Sequence, residues 1–192
     1  DFYVCSPYKF LGPHCGVLTG RQELLAGLRP DKLLPATDAI PERFELGTLP
    51  YEQMAGTTAA IEFIAAAVPG AGTRRERLAR SLRAIERHED ALRQAIEAEL
   101  SRLPGVTIHS RASRRTPTLL ATFTDHRPAD VARFLAAHGV NAPAGSFYAY
   151  ETSRRLGLGD AGGLRIGLAP YSDETDVDRL FTALHAYFGR SA

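Results

Sequence analysis

A lysine in a turn rich in glycine and proline has the clearest potential for covalent chemistry in this sequence. Lys9 follows the apolar residues Phe2–Val4 and lies within the segment Cys5–Pro13, which reads CSPYKFLGP. Of the 23 Lys and Arg residues, only Lys9 and Lys32 are lysines. A desolvated lysine can lose its proton and form an imine, whereas an arginine can do neither. Lys9 is therefore a candidate Schiff-base lysine, with an ordinary turn lysine as the alternative.

The composition is that of a folded protein without a strongly charged surface. The 192 residues are 44% hydrophobic and 23% charged, which suits one large or two small domains. The net charge of +1 favours neither a nucleic-acid nor a membrane partner, and no apolar run reaches membrane length. We interpret the cluster Arg111, Arg114 and Arg115 as a solvated loop.

The two cysteines form neither a disulfide framework nor a metal-binding motif. Cys5 and Cys15 lie in one short segment, and the six histidines show no metal-ligand spacing. We expect both thiols to be structural, no bound metal, and a reducing, cytoplasmic location.

The chain begins with the residues of an apolar strand. Phe2–Cys5 resembles the end of a buried strand, and Gly16–Gly20 predicts a second strand after the Lys9 turn. Because a buried strand needs neighbours, we expect this chain to be the C-terminal piece of a longer protein. Residues 21–50 lack periodicity, which favours a functional loop, with short unrecognised elements as the alternative.

Two helices are predicted next. Residues 51–67 are apolar nearly all round, which is typical of a helix buried between other elements. Residues 73–103 carry one apolar stripe and predict a long helix that can bridge two domains. A free coiled coil is the alternative, but Glu89 interrupts the stripe.

The remaining residues predict a small α/β domain. Strands are expected at 106–108, 119–123 and 164–168, with helices at 128–138 and from about 173 onward. This order favours helices packed on one face of a short sheet.

Three blocks together resemble the cysteine-desulfurase-like class V aminotransferases, which are pyridoxal-phosphate enzymes of fold type I. The blocks are Cys5–Pro13, Arg43–Thr48 (RFELGT) and Leu164–Leu168 (LRIGL), and the last leads to Tyr171–Ser172 and Val177–Leu180. The resemblance implies the C-terminal part of that α/β fold. Residues 1–72 would be an incomplete part of the large cofactor-binding domain with the end of its sheet. Residues 73–103 would be the linking helix, and 104–192 the small C-terminal domain.

The resemblance also implies roles for individual residues. Lys9 would form the internal aldimine with pyridoxal 5'-phosphate and later move the α-proton of an amino-acid substrate. Ser6 and Tyr8 would lie near the cofactor phosphate, although many desulfurases have histidine at the position of Tyr8. Gly47 and Thr48 would reach the phosphate in a neighbouring subunit, which implies a homodimer.

Arg165 would bind the substrate α-carboxylate, a task that suits a planar bidentate donor.

Other interpretations stay open for several residues. Arg165 could instead extend from the edge of the core to water, Arg43 and Glu45 could form a surface ion pair, and His14 could be an acid/base group or an ordinary loop histidine.

Two departures from the family pattern affect the expected activity. The stretch 144–150, AGSFYAY, has no thiol where desulfurases carry their mobile-loop cysteine, so transamination, β-elimination or epimerisation is favoured over desulfuration. The family's pyridine-nitrogen aspartate, ring-stacking residue and first phosphate loop precede the lysine strand. We therefore expect this chain alone to bind the cofactor poorly and to be inactive without an N-terminal half.

The competing hypothesis is a non-enzymatic interaction or assembly module with a vestigial Lys9.

Overall fold

The computed structural model of the protein describes residues 1–110 and 112–189, and these form two compact units. The first unit comprises Asp1–Arg83, and the second begins at Ala84. The boundary falls within the long helix predicted from the sequence. Arg111, one member of the predicted solvated cluster, lies outside the described residues.

The first unit opens with a two-stranded antiparallel sheet around the lysine turn. Strand β1 (Phe2–Cys5) pairs with β2 (Val17–Gly20), and a 3-10 turn at Pro7–Phe10 lies in the connection. Both strands are confirmed, but the expectation that β1 is buried is wrong for this chain: Phe2, Tyr3 and Val4 are 50%, 68% and 70% exposed. A two-stranded ribbon has no second layer to cover its apolar side chains.

The segment 21–50 contains two short helices and is not wholly irregular. Helix α1 (Gln22–Gly27) follows β2, and a second 3-10 turn spans Glu42–Phe44. Elements of one or two turns contain too few residues to show helical periodicity in a sequence.

Helix α2 (Tyr51–Ala66) confirms the predicted helix but buries only one side of it. Ala60, Ile64 and Ala65 are buried, whereas Met54 and Phe63 are exposed. The expectation of burial all round is therefore wrong within the described residues. An apolar side chain can be buried on any side of a helix. Whether it is buried depends on which side the neighbouring elements cover.

Helix α3 (Arg74–Leu100) is the predicted long helix. It begins with a capping box, in which the Glu76 backbone N–H donates to Thr73 Oγ1 and the Thr73 N–H donates to the Glu76 carboxylate. Leu82, which was expected on the apolar stripe, is exposed. No described helix is long and apolar enough to cross a membrane.

The second unit combines a sheet with helices, in the strand and helix order expected from the sequence. Its four-stranded antiparallel sheet has the order β3-β4-β6-β5. The strands are β3 (Val106–Ile108), β4 (Thr118–Phe123), β5 (Ala144–Gly145) and β6 (Gly163–Gly167), and the helices are α4 (Pro128–Ala137), α5 (Tyr150–Arg155) and α6 (Glu174–Phe188). The sequence patterns had not indicated β5 and α5, which are two and six residues long.

The core of this unit lies between one face of the sheet and the helices α3, α4 and α6. Ile96 and Leu100 of α3 belong to the same buried cluster as Leu119 of β4, Val131 of α4 and Leu184 of α6. Burial alternates along β4 and through Leu164–Ile166 of β6. Residues at period two therefore face alternately toward the core and away from it.

The arginine cluster near residue 111 is only partly the solvated loop that was expected. Arg114 is exposed, but Arg115 forms an ion pair with Glu97 and its side chain is only 16% exposed. Glu97 also pairs with the buried Arg93. Arg115 therefore places a positive charge beside the partly buried carboxylate of Glu97.

Candidate functional site

The candidate residues divide between the two units. Ser6, Tyr8, Lys9, Gly47 and Thr48 belong to the first unit. Arg165 belongs to the second unit.

The Lys9 turn is held by backbone hydrogen bonds. The Lys9 N–H donates to the Ser6 carbonyl oxygen at 2.9 Å, and the Gly12 N–H donates to the Pro7 carbonyl oxygen at 2.9 Å. Leu11 closes the turn with a φ of 69°. A Cβ at Gly12 would lie 2.8 Å from Pro7 Cβ, so the turn requires glycine at that position.

The Lys9 side chain is exposed, and no hydrogen bond or ion pair involves its amine among residues 1–110 and 112–189. Lys9 Nζ lies 5.5 Å from the centroid of the Tyr8 ring. Lys32, by contrast, donates to the Ala36 carbonyl oxygen and forms an ion pair with Asp38. Of the two lysines, Lys9 is the one whose amine has no polar partner in the described chain.

The residues beside Lys9 contact the rest of the first unit. Pro7 is buried, and the Cys15 thiol lies 3.6 Å from Thr57 Oγ1 of α2. Both cysteines are free. This contact of Cys15 agrees with the structural role expected for it.

Gly47 and Thr48 are both exposed, and they follow the second 3-10 turn. Gly47 has a φ of 75°, and a Cβ there would meet no atom within 4 Å. The pair thus lies on an open surface, and the described contacts do not join it to the Lys9 turn.

Arg43, in the same sequence block, is not the surface ion-pair residue that was offered as an alternative. It is 5% exposed, it donates to the Leu25 carbonyl oxygen, and its guanidinium lies 5.2 Å from the Phe44 ring centroid. Arg43 thus connects the second 3-10 turn to helix α1 within the first unit. Sequence reasoning missed this role because Leu25 is distant along the chain.

Arg165 lies on the face of β6 opposite the core. It is exposed, while Leu164 and Ile166 on either side are buried. Its guanidinium lies 4.0 Å from the centroid of the Phe147 ring. Phe147 was not singled out from the sequence, because helix α5 lies between it and the strand that carries Arg165.

These groups have the chemistry that pyridoxal phosphate and an amino acid require. Lys9 offers a primary amine for an aldehyde, Ser6 a hydroxyl and Gly47 an uncrowded backbone for a phosphate, and Arg165 a fork of donors for a carboxylate. The donor set fits the cofactor. The described residues contain no group of three or more His, Cys, Asp or Glu side chains that could hold a metal.

A comparison with known families decides the classification. Residues 1–180 match the model of the family Aminotransferase class-V. The chain belongs to this family. Class-V aminotransferases depend on pyridoxal phosphate, so the expectation of that cofactor class from the resemblance is confirmed at the level of the family.

Individual relatives agree with this classification. A probable cysteine desulfurase of Pseudomonas putida is 30% identical, with 96% of this chain and 45% of the relative aligned. The cysteine desulfurase CsdA of Escherichia coli is also 30% identical, again over 96% of this chain and 45% of the relative. This class-V aminotransferase chain thus spans less than half the length of the curated relatives it matches.

Solved structures support the same fold. The crystal structure of CsdA from E. coli, in its S-sulfonic acid form, superposes with a TM-score of 0.80 at 26% identity, covering 98% of this chain and 46% of that chain. An apo cysteine desulfurase from Thermococcus onnurineus gives a TM-score of 0.80 at 22% identity, over 97% of this chain and 46% of that chain. The expected partial fold type I architecture is confirmed.

Proposed function

We propose that this class-V aminotransferase chain contributes the reactive lysine and the carboxylate-binding arginine to a pyridoxal-phosphate enzyme that transforms an amino acid. The observation that carries the proposal is the exposed Lys9 amine, which has no hydrogen-bond or ion-pair partner among residues 1–110 and 112–189 and lies on a hydrogen-bonded turn in a chain of this family. Enzymes of this type combine the cofactor's electronics with groups that the protein positions.

Lys9 is the proposed catalytic residue. Its amine would hold the cofactor aldehyde, and after substrate has bound, Lys9 Nζ would accept the proton from the substrate α-carbon and return it. The bound cofactor supplies an electron sink for the pair left on that carbon. The backbone hydrogen bonds of the turn fix the position from which the Lys9 side chain extends.

Arg165 is the proposed anchor of the substrate. An arginine remains protonated at all physiological pH values and can donate two parallel hydrogen bonds to a carboxylate. Its exposed position on the outer face of β6 leaves those donors accessible within the second unit. Binding at Arg165 would hold the substrate by its carboxylate and so limit its rotational freedom.

The cofactor phosphate would be bound by Ser6 and Tyr8 of the same chain, and by Gly47 and Thr48 of a second subunit. The open surface around Gly47 supports contact with a group outside the chain. We therefore propose a homodimer, formed with the additional residues that account for the greater length of the relatives.

The reaction proposed is a transamination, β-elimination or epimerisation. Desulfuration through a loop thiol would need a cysteine in 144–150, and that segment offers hydroxyl and phenol groups instead. Neither group matches a thiolate as a nucleophile toward sulfur.

Covalent capture of the cofactor tests this proposal. The longest natural protein chain that contains these residues would be mixed with pyridoxal phosphate, its visible absorbance recorded, and the product reduced with borohydride and mapped by peptide mass. We expect one adduct, on Lys9, and its loss in Lys9→Ala.

Lys32→Ala is the matched control, because Lys32 is the other lysine of this chain. It should keep the absorbance band and the adduct on Lys9. An adduct on Lys32, or no adduct in the wild-type protein, would contradict the proposal and favour the interaction module.

A further inference from the structure

The side chain of Arg165 is in contact with an aromatic ring. The Arg165 guanidinium lies 4.0 Å from the centroid of the Phe147 ring, and Phe147 is half-buried. A guanidinium over a ring uses its flat face for the contact and keeps the N–H groups at its edge available. Among residues 1–110 and 112–189, no hydrogen bond or ion pair involves the side chain of Arg165.

The backbone that presents Phe147 is in an unfavourable conformation. Phe147 and Tyr148 have φ angles of 54° and 63°, in the left-handed region that bulky residues rarely adopt. The Ala149 N–H closes the turn by donating to the Ser146 carbonyl oxygen at 2.9 Å. Such strain persists only where the surrounding structure holds it, and it is concentrated at functional sites.

The surrounding structure holds this loop against the strand that carries Arg165. Gly145 pairs with Gly163 in the β5–β6 ladder, and the Arg165 N–H donates to the Pro143 carbonyl oxygen at 2.8 Å. A Cβ at Gly162 would lie 1.9 Å from the Gly145 carbonyl oxygen, so the two backbones can approach only because residue 162 is glycine. The loop and β6 therefore hold Phe147 and Arg165 together.

We propose that Phe147 is a positioning residue for Arg165, which holds the guanidinium by its face so that its N–H edge is directed to a carboxylate. This inference rests on the proposed role of Arg165 as the substrate anchor. The contribution of Phe147 is preorganisation: the arginine loses less side-chain freedom when the ligand binds.

Protection against phenylglyoxal tests this inference without measuring turnover. Phenylglyoxal modifies exposed guanidinium groups, and sodium propionate serves as a carboxylate probe that lacks an amine. The longest natural chain containing these residues, loaded with pyridoxal phosphate, would be treated at increasing propionate concentrations. The modification of Arg165 would then be measured by peptide mass.

We expect Phe147→Leu to raise the propionate concentration for half-protection about threefold to fivefold, as the loss of one cation–π contact implies. Phe147→Tyr keeps a ring and should stay within about twofold of wild type. Arg154, which lies 4.0 Å from the Tyr150 ring centroid, is an internal control in the same digest, and propionate should not protect it.

Equal half-protection in wild type and Phe147→Leu would overturn the positioning role while leaving Arg165 as the anchor. A failure of propionate to protect Arg165 in the wild-type protein would overturn both roles. Cofactor capture at Lys9 is measured separately, so the failure of one proposal is distinguishable from that of the other.

Discussion

Tyr8 and His14 stack face to face across the turn that carries Lys9, with ring centroids 4.8 Å apart and ring planes inclined by 13°. The stack connects residues on both sides of Lys9, and Lys9 Nζ lies 5.5 Å from the Tyr8 ring centroid. His14 thus braces the turn through its ring, in addition to any proton it could carry. This contact gives His14 a structural role. The sequence had left open whether His14 is an acid/base group or an ordinary loop histidine.

Replacement of His14 separates stacking from acid–base chemistry. His14→Ala should slow the capture of pyridoxal phosphate by Lys9 about twofold to tenfold, because an aromatic pair contributes about 0.5–1.5 kcal/mol. His14→Phe retains a ring and should remain close to wild type. Stopped-flow absorbance measures the rate, and a loss in His14→Phe as large as in His14→Ala would show that the imidazole itself is required.

The ion pairs of α3 differ in burial and should differ in their effect on stability. Glu97 pairs with Arg93 and Arg115, and the three side chains are 24%, 9% and 16% exposed. Glu97→Gln should lower the free energy of unfolding by about 1–3 kcal/mol, because it removes the carboxylate that pairs with Arg115 and leaves Arg93 with Asp90 in place of two acidic partners.

Glu99→Gln is the matched control on the same helix. Glu99 pairs with Arg102, and these side chains are 37% and 70% exposed. Its effect should stay below about 1 kcal/mol. Urea denaturation measures both variants, and equal losses would contradict the distinction by burial.

Glu89 should make a small contribution to the pH dependence of stability. Partial burial raises the pKa of its carboxyl above the ordinary value of 4.5, and the opposing charge of His88 only partly offsets this effect. The folded protein therefore binds the proton more tightly than the unfolded chain, and stability from this group falls as pH rises from the unfolded pKa through the folded pKa.

Glu89→Gln should thus raise the midpoint of urea denaturation at neutral pH and leave it nearly unchanged below the unfolded pKa. The exposed Glu86→Gln, on the same helix, controls for the loss of one negative charge. The same gain in both variants would exclude burial of Glu89 as the cause.

Prediction from sequence succeeded where a pattern repeats locally. The stripe of α3 and the alternation of Leu164, Arg165 and Ile166 in β6 follow from the periods of helix and strand, so these elements were predicted within a few residues. The blocks around Lys9 and Arg165 likewise indicated the family, which the comparisons confirmed.

The errors occurred where burial depends on residues far apart in the chain. Arg43 is buried with its guanidinium against the carbonyl of Leu25, and Arg115 is partly buried where it pairs with Glu97. Phe2 and Phe63 are apolar yet exposed, since no described element covers them. A local window contains none of these partners.

The sequence by itself determined the longer helices and most strands, the family and the chemical types of the candidate groups, because periodicity and side-chain chemistry are local properties. Only the tertiary structure decided that Lys9 has no polar partner among the described residues while Lys32 has two, and that Phe147 lies against Arg165. Those relationships depend on the folding of loops around glycines with no repeating pattern, and on distances that exist only once the chain has folded.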